Sequence, residues 1–343
     1  MLAALPVAVF LMFAVPVPGW RTGERATAPL TLVSGGPAVD LPRRVWIDTD
    51  AACGHAADAD ADDCFALLIL LRAPGIEIVG ISTVPGNAPA DAVLRITREL
   101  AERAGRPGGP PVHADAAGAG ALRDALAAGP LTIVALGPLT NIAAALKGRP
   151  GLQRNVGRLV AVMGRRRGHL FHPAEGRGDG ILLGHGPVFR DFNFDKDRAA
   201  AADVLALGIP ITLMPYEGAR NVSLTGDDLA ALKAAGGAPA WVAERAGGWL
   251  RFWRDVVGLG GFYPFDAMAA AYVLEPALFD CAAAAAWVAK ERGFRARFFG
   301  SEAMLVGLDS ERAKEPRASG TVIYCPRVAT RVHNWMMSRL AAR

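Results

Sequence analysis

The chain reads as an α/β protein built on an open, mainly parallel Rossmann-like sheet with helices on both faces. Three observations predict this. From residue 43 onward, short apolar runs rich in Val and Ile alternate with helical patterns, as expected of strands buried on both faces and joined by helices. A chain of 343 residues with 52% hydrophobic content can bury a large core, in one big domain or two smaller ones. Three apolar runs also end in glycine-containing segments: Ser82-Thr83-Val84-Pro85-Gly86-Asn87, Ala135-Leu136-Gly137-Pro138-Leu139-Thr140-Asn141 and Ala161-Val162-Met163-Gly164. In a parallel sheet these loops open on one carboxyl edge, where such folds hold ligands.

Taken in order, residues 45–48 form the first strand, and Asp62 opens a helix reaching about residue 72, since Asp caps helices well. Residues 76–82 read as a strand and 88–104 as a helix. A buried strand follows at 131–136, with a helix over 140–146. A strand at 159–163 precedes a helix at 198–207, and a further strand covers 211–214. After about residue 225 the pattern turns helical, with late strands at 304–308 and 321–324. A helix closes the chain over 330–342. No internal repeat appears, although Ala282 to Ala286 is compositionally plain.

The first twenty residues carry no charge and many Leu, Ala, Val and Phe. They fit a secretory apolar region with Ala26-Thr27-Ala28 as its cleavage site. Against this stand the missing basic start, three prolines and a long gap to that site. A start codon assigned too far upstream is the other reading, and cytoplasmic and exported locations both stay open. Residues 1–40 are expected to lie outside the folded core. The net charge of +4 is modest, and the basic run Arg165-Arg166-Arg167 reads as a solvated loop, so nucleic-acid binding has little support. Cys53, Cys64, Cys281 and Cys325 form no zinc pattern and no dense disulfide framework, leaving room for one bridge.

The chemistry concentrates in Asp48, Asp50, Asp62 and Asp63, bracketed between the first strand and the first helix. Carboxylates this close repel one another unless a hard cation or a shared proton offsets the charge. An EF-hand loop starting at Asp58 fails, because Asp63 and Ile69 occupy the positions that need Gly and Glu. A phosphatase opening D-x-D accounts for Asp48 and Asp50 but gives the Asp62-Asp63 pair no role. Helix capping explains one aspartate and not four. Farther on, Asn87 is placed to hydrogen-bond a polyol, whereas Asn141, just inside a helix, reads as structural. Asp191-Phe192-Asn193-Phe194 precedes one helix and Phe265-Asp266-Ala267-Met268 starts another.

These motifs, in this order, resemble the inosine-uridine-preferring nucleoside hydrolase family. Its signatures are D-x-D-P-G-x-D-D, T-x-V-x-G-N, G-P-L-T-N, M-G-G, E-F-N and a D-P or D-A step at a helix start. The resemblance covers roughly residues 43–330 and implies a single hydrolase domain over 41–343. It implies Ca²⁺-dependent cleavage of the N-glycosidic bond of purine or pyrimidine ribonucleosides. The implied partner is a small-molecule nucleoside rather than a nucleic acid, and the implied assembly a homo-oligomer. On the same resemblance Asp50 is Ca²⁺ ligand and general base, and Asp63, Asp266 and the Leu136 carbonyl complete the metal set. Asp62, Asn87 and Asn193 bind ribose hydroxyls, and Asp191, standing where Glu is usual, reaches the 5′ side. Trp249 and Trp253 stack on the base, unless they are simply a core-facing pair.

Three departures stand out. Eleven residues separate Asp50 from Asp62 where the signature has three, and the Pro-Gly is replaced by a stretch beginning Ala51-Ala52-Cys53-Gly54-His55. Phe265 takes the place of a histidine that purine-active members use as leaving-group acid. The segment after Met163-Gly164 is long and glycine-rich, and carries His169, His172 and His185. His172 or His185 is the candidate replacement acid; Arg220, in a neighbouring loop, is too weak an acid to serve. The long loop and Phe265 motivate an alternative, a weak or inactive Ca²⁺-dependent nucleoside- or ribose-binding relative.

Overall fold

The computed structural model describes residues 29–34, 41–105, 109–166, 190–290, 302–312 and 318–342. In chain order its strands are β1 (Val33–Ser34), β2 (Arg44–Thr49), β3 (Glu77–Thr83), β4 (Val112–Ala114), β5 (Leu131–Ala135), β6 (Val156–Ala161) and β7 (Arg165–Arg166). Then come β8 (Ile211–Leu213), β9 (Leu224–Thr225), β10 (Gly261–Phe262), β11 (Phe279–Lys290), β12 (Glu302–Gly307) and β13 (Ser319–Val328). The helices of the first half are α1 (Asp62–Leu71), α2 (Ala90–Arg103), α3 (Asp115–Ala127), α4 (Thr140–Leu146), α5 (Pro150–Gln153), α6 (Phe192–Lys196) and α7 (Arg198–Leu205). The second half adds α8 (Tyr216–Ala219), α9 (Gly226–Ala235), α10 (Gly237–Arg245), α11 (Gly247–Phe252), α12 (Phe265–Leu274) and α13 (Val332–Ala341).

The main sheet runs β4-β3-β2-β5-β6-β8-β13-β11-β12-β7, with β1 paired to β11. Pairing is parallel from β4 through to β13; β11 is antiparallel to β13 and β12. The chain winds outward from β2 through β3 to β4, then returns to the other side of β2 at β5. The carboxyl end of β2 is therefore a topological switch point, the place where an open α/β sheet leaves a ligand crevice.

Side-chain alternation along the strands builds a core on each face. Val45, Ile47, Val134 and Val160 enter one with α1, α12 and α13, and Trp46, Ile133, Leu159 and Ala161 enter the other with α3, α4 and α7. All ten residues of α1 are buried, the mark of a helix enclosed on every side. It packs closely against α12, whose run Ala269-Ala270-Ala271 is fully buried. Small side chains let the two helices approach.

Several expectations need correction. The strand expected at 159–163 is β6, three residues earlier at its start. β4, α3 and β11 were not anticipated. The plain alanine run lies inside β11, since ladders to β12 and β13 on either side override alanine's weak strand preference. Arg165-Arg166 is not a solvated loop: the pair forms β7 beside β12, and Arg165 is buried. The cysteines form two bridges rather than at most one, Cys53–Cys64 and Cys281–Cys325.

Candidate active site

Three elements converge on the switch point. β2 delivers Asp48, Thr49 and Asp50 at its carboxyl end, α1 opens with Asp62 and Asp63, and α12 carries Asp266 in its first turn. Both helices thus direct their N-termini, with first-turn N–H groups and positive dipole ends, toward acidic side chains. Carboxylate oxygens of Asp62, Asp63 and Asp266 lie within 4.8 Å of one another. The chain brings these residues together from positions 204 apart in sequence, as the Asp266 N–H to Asp62 Oδ2 bond of 3.3 Å records.

Hydrogen bonds fix the carboxylates in place. Asp63 Oδ1 accepts from the Thr49 hydroxyl and from the Asp50 N–H at 3.3 Å. The Asp63 N–H donates to Asp62 Oδ1 at 3.0 Å. Asp50 Oδ2 accepts from the Asn87 N–H at 2.8 Å, and the Asn87 side-chain amide donates to Asp63 Oδ2 at 3.4 Å. Below them, Asp48 Oδ1 accepts from Ser82 and from Asn141, the latter at 2.9 Å. Asn141 is thus structural, as its position suggested.

Asp50 sits in a tight cradle. A Cβ added to Gly86 would come 2.0 Å from Asp50 Oδ2, and one added to Gly137 2.8 Å from Oδ1. Only glycine lets the two loops close on that carboxylate. Asp50 Oδ1 is buried and has no hydrogen-bond partner among the described residues.

Burial raises the pKa of every carboxylate here, since a low-dielectric site disfavours the charged form. Asp48 is pushed up to about 7. Asp62 and Asp63 rise to about 6: burial is the largest cause for both, reinforced for Asp62 by the Asp63 charge and partly offset for Asp63 by the Thr49 hydrogen bond. Asp50 and Asp266 are raised well above the usual range by burial and by the charges of their neighbours. A hard divalent cation would reverse this balance. Close-set oxygen donors and an orphaned Asp50 oxygen fit such an ion, which prefers carboxylates, carbonyls and hydroxyls. Among the described residues, the carboxylates that could hold one ion together are Asp62, Asp63 and Asp266, with Asp50 hydrogen-bonded to Asp63 beside them.

The remaining expected contacts fall around this centre. Asn193 is buried at the start of α6 and donates its amide to the Leu136 carbonyl at 2.6 Å and the Val162 carbonyl at 3.1 Å. Asp191 caps α6 through the Phe194 N–H and accepts from the Gly164 N–H at 2.7 Å. Both of its oxygens are therefore engaged by backbone.

Beside Asp266 an aromatic cluster takes over. Phe265 stacks on Tyr216 with ring centroids 6.0 Å apart, and Trp253 meets Tyr263 edge-on at 4.7 Å. Trp253 also lies 6.4 Å from Phe265. Trp249 stacks flat on Phe252 at 5.0 Å, so that neighbour covers one ring face. Both tryptophans are buried, and a π-helical turn begins at Trp253. Arg220 lies over the Tyr216 ring at 5.8 Å. His169, His172 and His185 lie outside the described residues.

Sequence reasoning missed three participants. Asp60, at the end of the long loop, accepts from the Asp62 N–H at 3.1 Å. The Cys53–Cys64 bridge ties that loop to α1, and Tyr216 with Tyr263 completes the aromatic cluster. The cysteines flanking the loop were the available signal for the bridge, and the tyrosines carried none.

Comparison with known proteins agrees with this architecture. The sequence pattern described as inosine-uridine preferring nucleoside hydrolase matches residues 45–122 and 107–319. A protein of Arabidopsis thaliana named Probable uridine nucleosidase 2 is 25% identical over 231 residues, covering 56% of this chain and 64% of that one. The Pyrimidine-specific ribonucleoside hydrolase RihB of Escherichia coli is 25% identical over 270 residues, covering 68% and 79%. Among solved structures, a plant nucleoside hydrolase superimposes with a TM-score of 0.69 at 20% identity, covering 88% of this chain and 100% of the other.

Proposed function

Because the chain belongs to the inosine-uridine preferring nucleoside hydrolase family, a family of enzymes acting on N-glycosyl bonds, we propose that it splits ribonucleosides into base and ribose in a Ca²⁺-dependent reaction with Asp50 as general base. Residues 41–343, with β1 added to their sheet, act as one hydrolase domain in this reading. The observation that carries it is the Asp50 carboxylate, pinned through Oδ2 by the Asn87 N–H with Oδ1 buried and unpartnered. A buried acceptor of this kind costs stability unless something fills it. Cation and attacking water together would fill it.

Asp50, Asp63, Asp266 and the Leu136 carbonyl would hold the Ca²⁺, which would supply a fixed positive charge to acidify water and bind ribose hydroxyls. The chain's own groups do the rest. Asp50, its carboxylate fixed by the Asn87 N–H, takes the proton from the attacking water. Asp62, held by the Asp63 and Asp266 N–H groups, accepts hydrogen bonds from the sugar. Asn87 and Asn193 join it; the Asn193 amide nitrogen is spent on two carbonyls, which leaves its oxygen as the group to accept from a hydroxyl. Carboxylate and amide oxygens favour the positive charge that grows on the sugar ring at the transition state.

Leaving-group departure rests on a different surface. Phe265 offers no proton, so nucleosides whose base leaves with little protonation are the preferred class, stacked against Trp253 and its neighbours. Asp191 is a weaker contact to the 5′ side than a glutamate, because backbone already holds both its oxygens. The relatives' names do not favour a binding-only role. Reducing-sugar release over a panel of purine and pyrimidine nucleosides and p-nitrophenyl riboside tests the proposal. Ribose release by the wild type and none by Asp50→Ala is the expected result; calcium binding with no turnover on any substrate would replace hydrolysis with binding.

A further inference from the structure

The eleven residues between Asp50 and Asp62 raise a mechanical problem. Two sets of cation donors, one on β2 and one on α1, are joined by a loop whose middle is largely exposed, including Gly54, His55, Ala57 and Asp58. A short turn holds such sets in register by itself, and a long loop does not. We propose that the Cys53–Cys64 disulfide and Asp60 are the positioning residues of this loop, and that cation affinity depends on them. The proposal rests on the reading of the acidic cluster as a cation site.

Three attachments support it. The bridge leaves the loop three residues after Asp50 and lands on α1 immediately after Asp63, with both cysteines buried. It therefore links the two donor sets by a covalent path far shorter than the loop itself. The loop is also seated on α10 and α11. Gly54 has φ +73°, and a Cβ there would lie 2.7 Å from Arg245 Cγ; a Cβ on Gly248 would lie 1.7 Å from the Ala57 carbonyl. Arg245 is itself held over the Trp241 ring at 3.8 Å. Lastly, Ala61 precedes α1 with no side chain able to cap it. Asp60 Oδ1 serves instead, accepting from the Asp62 N–H and fixing the first residue of the acidic pair. Groups that hold metal ligands in place without touching the metal commonly tune affinity this way.

The second bridge is an internal control. Cys281–Cys325 joins β11 to β13, and neither strand supplies a carboxylate to the cluster. Calorimetric Ca²⁺ titration of the full chain, with thermal unfolding in chelator as a separate readout, compares Cys53→Ala/Cys64→Ala with Cys281→Ala/Cys325→Ala. The first pair is expected to weaken Ca²⁺ binding about 10- to 100-fold; the second is expected to lower Tm and leave Kd unchanged. Asp60→Ala, with both bridges intact, is expected to weaken binding as well, and Asp60→Asn, which keeps the accepting oxygen, to restore it. Equal Kd for wild type, the Cys53/Cys64 pair and Asp60→Ala would overturn the positioning role while leaving the cation site standing. A wild-type chain that binds no Ca²⁺ would overturn both.

Discussion

On one side of Asp266 lie Asp48, Asp50, Asp62 and Asp63, buried and crowded; on the other lie Phe265, Tyr216, Trp253 and Tyr263, ring against ring. The aromatic side needs no ligand to explain it, since stacked and edge-on rings stabilise a core by themselves. The acidic side has no such account. Burying like charges opposes folding, and each carboxylate answers by rising in pKa. Function is thus legible at the end that is costly for the fold, while the aromatic end can be assigned only through its contact with the first.

The sharpest way to break this contrast is to remove charge. Asp50→Ala should lower kcat by at least the ~10²–10⁴ that a general base contributes, and weaken Ca²⁺ binding as well. Asp266→Ala should likewise impair calcium binding, although it lies 216 positions later in the chain. Wild-type rates in the first variant or wild-type affinity in the second, measured by ribose release and calorimetry, would show that the acidic cluster is only architecture.

The next effect is on stability. In the metal-free fold Asp48 titrates at about 7 and Asp62 and Asp63 at about 6, against 3.8 for an ordinary aspartate. A carboxyl with a raised folded pKa binds its proton more tightly in the fold than in the unfolded chain. Its contribution is present at low pH and is lost as pH rises through 6 to 7. The Tm of chelated protein should therefore fall between pH 5 and pH 8, and added Ca²⁺ should raise it most at pH 8, where protons no longer compete. A calcium effect of equal size at both pH values would contradict the acidic cluster as its seat.

The smallest effect belongs to the aromatic side. Phe265→His should raise turnover of purine nucleosides relative to p-nitrophenyl riboside, whose leaving group needs no proton. The gain should stay below the ~10²–10⁴ of an acid in optimal geometry, because the ring remains packed on Tyr216. Equal changes on both substrates would mean that the position shapes the site without serving the leaving group.

Much of this was readable in the sequence. Residues 62 to about 72 and 140–146 were recognisable as helices, and the carboxyl-edge loops followed from apolar runs ending in glycine. Asp62 and Asp63 were legible as an acidic helix start, a local signal, whereas their meeting with Asp266 was suggested only by the family resemblance. What was not readable depends on partners distant in the chain. β11 is a strand only because β12 and β13 flank it, and Arg165 is buried only because β7 finds β12. The cysteine pairing needed the loop's path, and Asp60 gained its role from a helix that lacks its own cap.

Stripping the metal tests the central claim most directly. Protein treated with chelator, dialysed and assayed for ribose release with and without added Ca²⁺ should be inactive alone and recover full turnover on addition, with about one calcium bound per chain, as one cluster of oxygen donors allows. Undiminished ribose release from protein shown to hold no metal would contradict the account.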